Sequence, residues 1–575
     1  MICTLNWIAY SDSFKADWHF DDLANVTNNQ DIQIKDLTWD SLRTAMGSRV
    51  GGIRPFAYLT FALNYYISGL SVEPYHIANL FVHILNAFFV FLLIMAITKK
   101  AHPEFPDWKR EILSVSVALF WSLSPVQSQS VIYIVQRMNL LAAFFMLTSL
   151  LFYIGWRDAS QSLGAGLRIM GCAGAALFGF ASKENSFILP LLILSYEIYF
   201  IRRFRWQENR KFFALGAAGI ILVVFFVSFS GLLNRWLGSY AYRDFTMKER
   251  LLTQSRVVIR YLAQLALPLP SRLALHHEIQ KSTSLFRPLT TLFCTLLILS
   301  AVALALYLAK RNRFVSFFIL WYFFALAIES SILPLEMMFE HRAYLPSIGF
   351  FAIALSLLFS ISPSRFQKKR MLYLGLILCL ALGLSVYFTR ERSRVWTDEI
   401  SLWEDNLLKY PNSFRVQNNL GTAYAAAERQ EEAERALLEA IRLNPGYSGA
   451  RANLALLYLN QGLLDKALQT VEAIDKSEKS FPDVYFNLGI IYARKGEWPK
   501  AVEAYRKAFM SKKGFAEAYY NLALAYLHLK DDFMAMVCFK DFLNTWKGDP
   551  DSPYVREAHR QIERIGKPDL GSKSQ

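Results

Sequence analysis

The chain has 575 residues, 54% of them hydrophobic and only 19% charged, with a formal net charge of +15. Residues 390–575 hold 27 Lys and Arg against 26 Asp and Glu, so almost the whole positive surplus lies in the apolar first part. A surplus spread among apolar runs is the mark of cytoplasmic loops and argues against a nucleic-acid partner, while five scattered cysteines (Cys3, Cys172, Cys294, Cys379, Cys538) support neither a disulfide framework nor a metal cluster.

Ile2–Tyr10 is apolar but too short to cross a bilayer, and it lacks the basic lead of a signal peptide, so the expectation is either a truncated first span or an N-terminus that crosses with Tyr75–Thr98. The acidic pair Asp21-Asp22 follows in a polar stretch dotted with Trp and Phe. Residues 1–74 read as a first extracytoplasmic loop carrying that pair, with Phe56–Ile67 at the interface. A spanning helix needs roughly 20 apolar residues. That criterion predicts Tyr75–Thr98, Ile112–Ser130, Met138–Trp156, Leu167–Ala181, Phe187–Ile201, Phe212–Gly231, Pro288–Ala309, Phe314–Leu335, Tyr344–Ile361 and Met371–Thr389. With Val257–Leu267 as a shorter interfacial piece, residues 75–389 make an all-α transmembrane bundle of about 10 or 11 spans.

Every second connection is basic. Lys99, Lys100, Lys109 and Arg110 come first, then Arg157 and Arg168, then Arg202, Arg203, Arg205, Arg210 and Lys211. Lys310, Arg311 and Arg313 follow, and Arg365, Lys368, Lys369 and Arg370 complete the series. The positive-inside rule places these in the cytoplasm. Residues 1–74, Pro125–Arg137, Ser182–Ser186, Leu232–Arg287, Glu336–Ala343 and everything after Thr389 then fall outside.

In residues 390–575, Asn419-Leu420-Gly421 recurs as Asn453-Leu454-Ala455, Asn487-Leu488-Gly489 and Asn521-Leu522-Ala523, 34 residues apart each time, with Ala433, Ala467, Ala501 and Ala535 in step. This is the tetratricopeptide pattern, an α-solenoid of helix pairs with repeats near 414–447, 448–481, 482–515 and 516–549. The Asn ladder (Asn419, Asn453, Asn487, Asn521) is a candidate for binding the backbone of an extended polypeptide on the concave face. The bland reading is that Asn is merely common there.

Ionisable groups at or beside membrane depth are costly and tend to serve function. On the outside-facing loops stand Asp21-Asp22, Arg54, His76 with His83 at helical spacing, Arg137, Lys183-Glu184, Glu340-His341-Arg342 and Tyr344. An acid pair with four cations (Arg54, Arg137, Lys183, Arg342) suits a phosphate-bearing substrate, because Arg offers forked donors and Lys a point charge. Each residue has a plainer role available. Arg137 and Lys183 would snorkel, His76 and His83 would bond between helices, Glu340 and Arg342 would pair with each other, and Asp21-Asp22 would form a solvated turn.

In their order along the chain, several stretches resemble the GT-C glycosyltransferases, in particular the transmembrane and tetratricopeptide-repeat O-mannosyltransferases and their bacterial relatives. They are Phe20-Asp21-Asp22, Arg54-Pro55, Tyr75-His76 with Asn79 and His83, Pro125-Val126 with Arg137, Ser182-Lys183-Glu184, Glu340-His341-Arg342-Ala343-Tyr344-Leu345-Pro346, and Trp396 onward into the repeats. Ser124 and Gln136 depart from the pattern, standing where His and Gly are frequent. The resemblance implies a polyprenyl-phosphate-linked sugar donor and an acceptor polypeptide bound through the repeats, with membrane lipids around the bundle. It implies Asp21 or Asp22 as the base for an acceptor hydroxyl and inversion at the anomeric carbon. Arg54, Arg137, Lys183 and Arg342 would hold the donor phosphate, supported by His76, Glu184, Glu340, His341 and Tyr344. A divalent metal is left open. The location it implies is a bacterial inner membrane with the repeats outside. Two other readings compete: a non-catalytic membrane-anchored scaffold for envelope proteins, and a transferase acting on lipid-linked glycan.

Overall fold

The structure is a computed structural model, and it describes all residues except 49, 51–52, 160–162, 203–209, 211–236, 241–242, 361–366, 475–481, 512–514, 547–551 and 567–575. The predicted span Phe212–Gly231 lies outside the described residues, as do Arg203, Arg205, Lys211 and Arg365. Among the described residues every regular element is helical, apart from one isolated bridge between Ser284 and Arg287. Two compact units emerge, Met1–Asp405 and Asn406–Gln575.

In the first unit five described helices are long and apolar enough to cross a membrane: Glu73–Ala101, Ile134–Asp158, Glu184–Ile201, Thr290–Leu308 and Leu372–Val395. Three shorter apolar helices, Gly164–Phe180, Arg313–Leu326 and Ser347–Phe359, occupy further predicted spans. Local chemistry sets their ends. Glu73 and Pro74 open the first long helix while Lys99 and Lys100 close it, each charge matching the helix dipole. The predicted span Phe314–Leu335 stops as a helix at Leu326. Glu329, Ser330 and Pro334 follow, a run that apolar counting absorbed but that cannot continue a lipid-facing helix. Ile112–Ser130 likewise ends as a helix at Ser122, just ahead of Pro125.

These helices carry the chain between two polar ends. The 29 residues of Glu73–Ala101 extend about 44 Å at 1.5 Å per residue. Near its start, His76 Nε2 donates to the Ala16 carbonyl at 3.1 Å. At its far end Lys100 meets Asp158 at 2.5 Å, Arg157 and Arg202 both reach Glu197, and the His102 ring lies 5.8 Å from that of Phe314. Connections that alternate in charge along the sequence therefore gather at opposite ends of the same helices.

The break between Arg313–Leu326 and Ser347–Ser360 is held by tryptophans. Trp121 Nε1 donates to the Tyr344 carbonyl and Trp321 Nε1 to that of Leu345, both at 2.9 Å, so carbonyls at the break find donors inside the bundle. Gly349 permits the close approach beside it, since a Cβ there would lie 2.6 Å from the Phe318 carbonyl oxygen.

In the second unit helix pairs repeat in register from Phe414–Ala426 with Gln430–Leu443 to Ala516–His528 with Asp532–Thr545. The turn inside each pair falls at Glu428, Gly462, Gly496 and Lys530, all at positive φ (59°, 77°, 75° and 61°). In each, an N–H five residues on closes the helix by donating to the carbonyl of Tyr424, Tyr458, Tyr492 or Tyr526 at 2.9–3.0 Å. Two of the four turns thus hold a side chain in a region that favours glycine. Lys530→Gly is expected to stabilise the repeats by about 0.5–1 kcal/mol and Gly462→Ala to destabilise them by about 1 kcal/mol. Opposite shifts in the thermal midpoint of the full chain are the check.

Candidate active site

The predicted outside connections meet at one end of the first unit, where the acidic pair separates into two unlike residues. Asp22 is fully buried. Its Oδ1 accepts from the Val135 N–H at 2.7 Å and its Oδ2 from the His19 N–H at 3.1 Å. Burial pushes its carboxyl up to about 7, against the pull of His19 and the two N–H donors. Asp21 is exposed; its backbone N–H donates to Tyr133 Oη at 2.8 Å, its carbonyl accepts from Asn25 Nδ2 at 2.9 Å, and Tyr133 also bonds its carboxyl. Desolvation in this crowded recess raises its carboxyl above the usual range, Tyr133 and Arg54 pull it down, and Glu336 pushes it up further.

Phe20, just before the pair, has φ +42°, which costs a bulky side chain about 1–3 kcal/mol. Its N–H donates to Glu399 Oε1 at 3.0 Å. The same oxygen lies 3.3 Å from His19 Nδ1, and His19 Nε2 donates to the Trp396 carbonyl at 2.7 Å. Burial works against a charged His19, yet the bond and charge of Glu399, with Asp22 and the Trp396 carbonyl, hold its pKa above the ordinary value.

Three of the four predicted cations, Arg54, Lys183 and Arg342, act on one another at this end. Arg54 grips Glu184 through Nε (3.2 Å to both oxygens) and Nη2 (3.0 Å). Lys183 sits 3.3 Å from Glu329 and donates to Asn139 Oδ1 at 3.3 Å. Burial lowers its pKa, with Arg54 and Arg342 adding to the shift against the carboxylates. Arg342 donates to the carbonyls of Glu336 and Met337 at 2.7 and 3.4 Å. Arg250 and Arg243 extend the group: Arg250 is buried and donates to the carbonyls of Glu329, Ser331, Leu335 and Glu336, and Arg243 pairs with Glu336. Arg54, Lys183, Arg243, Arg250 and Arg342 thus gather with Glu184, Glu329 and Glu336, and of these Arg54 and Glu336 act on the Asp21 carboxyl.

Arg137 is different. Its guanidinium, 2% exposed, donates to Asn79 Oδ1 (2.8 Å), Asn64 Oδ1 (2.8 Å) and the carbonyls of Tyr75 (3.0 Å) and Thr60 (3.2 Å), and stacks 4.7 Å from the Phe61 ring. The supporting residues are engaged as well. His83 accepts from Tyr344 Oη at 2.7 Å through Nδ1 and donates through Nε2 to the Ser122 carbonyl at 3.0 Å. Glu340 does not pair with Arg342; it accepts from the Ala274 N–H (2.7 Å) and lies 2.9 Å from His277 Nε2. The His341 N–H donates to Gln129 and its ring stacks 5.2 Å from Phe339, with burial holding the imidazole well below its ordinary pKa. Among the described residues no group of three or more His, Cys, Asp and Glu comes together to hold a metal.

In the repeats, Asn453 Nδ2 donates to Asn418 Oδ1 at 2.9 Å, Asn521 Nδ2 to its own helix at the Glu517 carbonyl, and Asn487 is buried. Sequence reading did not single out Tyr133, His19, Glu399, Glu329, Arg250 or His277. Only Glu329 carried a usable signal, as an acid inside a predicted span.

Fold and site together define an integral-membrane protein with a tetratricopeptide-repeat domain. Tetratricopeptide repeat models match residues 424–488, 482–511 and 516–544. The chain is 29% identical to human protein O-mannosyl-transferase TMTC4 over 174 residues, covering 28% of this chain and 23% of that one. To human protein O-mannosyl-transferase TMTC2 it is 26% identical over 258 residues, 40% of this chain and 28% of the other. The matched part thus spans about a quarter of the length of these relatives. The chain therefore resembles the transmembrane and tetratricopeptide-repeat O-mannosyltransferases. Among solved structures it is similar to the MamA protein, at 26% identity over 25% of this chain and 80% of that one, with a TM-score of 0.23.

Proposed function

We propose that the protein is a GT-C-type, inverting glycosyltransferase that moves a sugar from a polyprenyl-phosphate donor to hydroxyls of acceptor polypeptides at the extracytoplasmic face, with the repeats presenting the acceptor. The observation that carries the reading is the division of the acidic pair: Asp22 is consumed by backbone N–H groups, and Asp21 is left exposed with Arg54, a member of the cation group, acting on its carboxyl. The Asp21 carboxylate takes the proton of the acceptor hydroxyl as its oxygen bonds to the anomeric carbon. The bond from that carbon to the phosphate oxygen breaks, and the phosphate leaves with the electron pair. Arg54, Lys183 and Arg342 stabilise the charge that gathers on it. Arg137 holds the site's framework.

The test is transfer by the full chain in lipid vesicles from polyprenyl-phosphate mannose to acceptor proteins, read as added hexose by mass spectrometry. No transfer from this or other polyprenyl-phosphate sugars would sink the reading. The base must be ionised, so activity falls as pH drops through the raised pKa of Asp21, and the acid limb lies above the ordinary ~3.9 of aspartate. Arg54 and Tyr133 both lower that pKa. Arg54→Gln and Tyr133→Phe are each expected to move the limb to higher pH, and a limb that stays in place in both removes Asp21 as the titrating group.

A further inference from the structure

We propose that Glu399 is a positioning residue for Asp21, acting through the strained backbone of Phe20. The inference rests on the reading of Asp21 as the base. Phe20, the residue directly before Asp21, stands at φ +42°, a conformation it leaves unless held. Glu399 is what holds it. One carboxylate oxygen accepts from the Phe20 N–H at 3.0 Å and faces His19 Nδ1 at 3.3 Å. The other accepts from Trp403 Nε1 at 2.6 Å. The segment is stitched down further along its length: the Asp17 N–H donates to the Thr397 carbonyl at 3.1 Å, and the rings of His19 and Trp396 lie 5.4 Å apart. With Asp22 anchored at Val135 on the other side, Asp21 is fixed from both flanks while its carboxylate remains exposed. Arg54, Glu336 and the neighbouring Asp22 act on the Asp21 carboxyl, with Tyr133 bonded to it, whereas Glu399 bonds the Phe20 N–H and so acts on where the base points.

The test compares the full chain with Asp21→Asn, Glu399→Ala and the double variant Glu399→Ala/Phe20→Gly. Each is assayed in vesicles with polyprenyl-phosphate mannose and normalised to folded protein. Glu399→Ala is expected to lower kcat on the order of 10- to 100-fold, the scale of a misplacement near 1 Å, with KM changed much less and the acid limb of the pH profile unmoved. Glycine adopts φ +42° at little cost, so Phe20→Gly in that background is expected to restore part of the lost kcat. Unchanged kcat in Glu399→Ala, a loss confined to the amount of folded protein, or no recovery on adding Phe20→Gly overturns the proposal while Asp21→Asn stays inactive. Activity that survives Asp21→Asn overturns the assignment of the base and this proposal with it.

Discussion

Asp21→Asn is expected to lower sugar transfer on the order of 10²- to 10⁴-fold, the contribution of a positioned general base, and to leave the amount of folded protein unchanged. The side chain is exposed, and the backbone bonds to Tyr133 and Asn25 that tie the residue down are ones that Asn keeps. Asp22→Ala is expected to do the reverse. It removes the acceptor for two buried N–H groups, those of His19 and Val135, at a cost of about 1–3 kcal/mol each, so the loss appears first as less folded protein. The pair of variants is assayed together, with transfer normalised to protein that resists proteolysis in the membrane. Equal activity in Asp21→Asn and the wild type would remove the catalytic reading, and a stable Asp22→Ala would contradict the anchoring role.

The contrast between two adjacent aspartates shows where sequence reading stops. Apolar run lengths located most of the helices, and the 34-residue spacing of Asn and Ala located the repeats, because periodic burial writes itself into composition. Alternating charge also foretold which connections gather at one end, since Lys100 meets Asp158 at one extremity and Arg54 meets Glu184 at the other. The partners within that end were not legible. Asp22 is engaged by backbone groups, which carry no sequence signature, and Glu399 lies 379 residues from Phe20. The boundary of Phe314–Leu335 was missed for a related reason. Averaged hydropathy hides one acid, and the role of Glu329 became visible only when Lys183 arrived from a different loop.

Arg137 gives the second large effect, this time on the fold. If it held the donor phosphate, Arg137→Lys would keep the charge, fold normally and raise KM for the donor. Its geometry predicts otherwise. The guanidinium spreads four hydrogen bonds over Asn79, Asn64, Thr60 and Tyr75 in a buried site, an arrangement that depends on a planar fork and that a lysine ammonium cannot span. Asn79 in turn donates to the carbonyls of Val131 and Ile134 at 3.2 and 3.3 Å, fixing the segment that presents Tyr133 to Asp21 and the Val135 N–H to Asp22. Arg137→Lys is therefore expected to cost about 3–5 kcal/mol, the scale for breaking a buried charged network, and to lower the thermal midpoint of the purified protein. Because the disturbance passes through Asn79 to both aspartates, the protein that remains folded is expected to lose kcat more than donor KM. A variant with wild-type thermal stability and a raised donor KM would return Arg137 to the phosphate site.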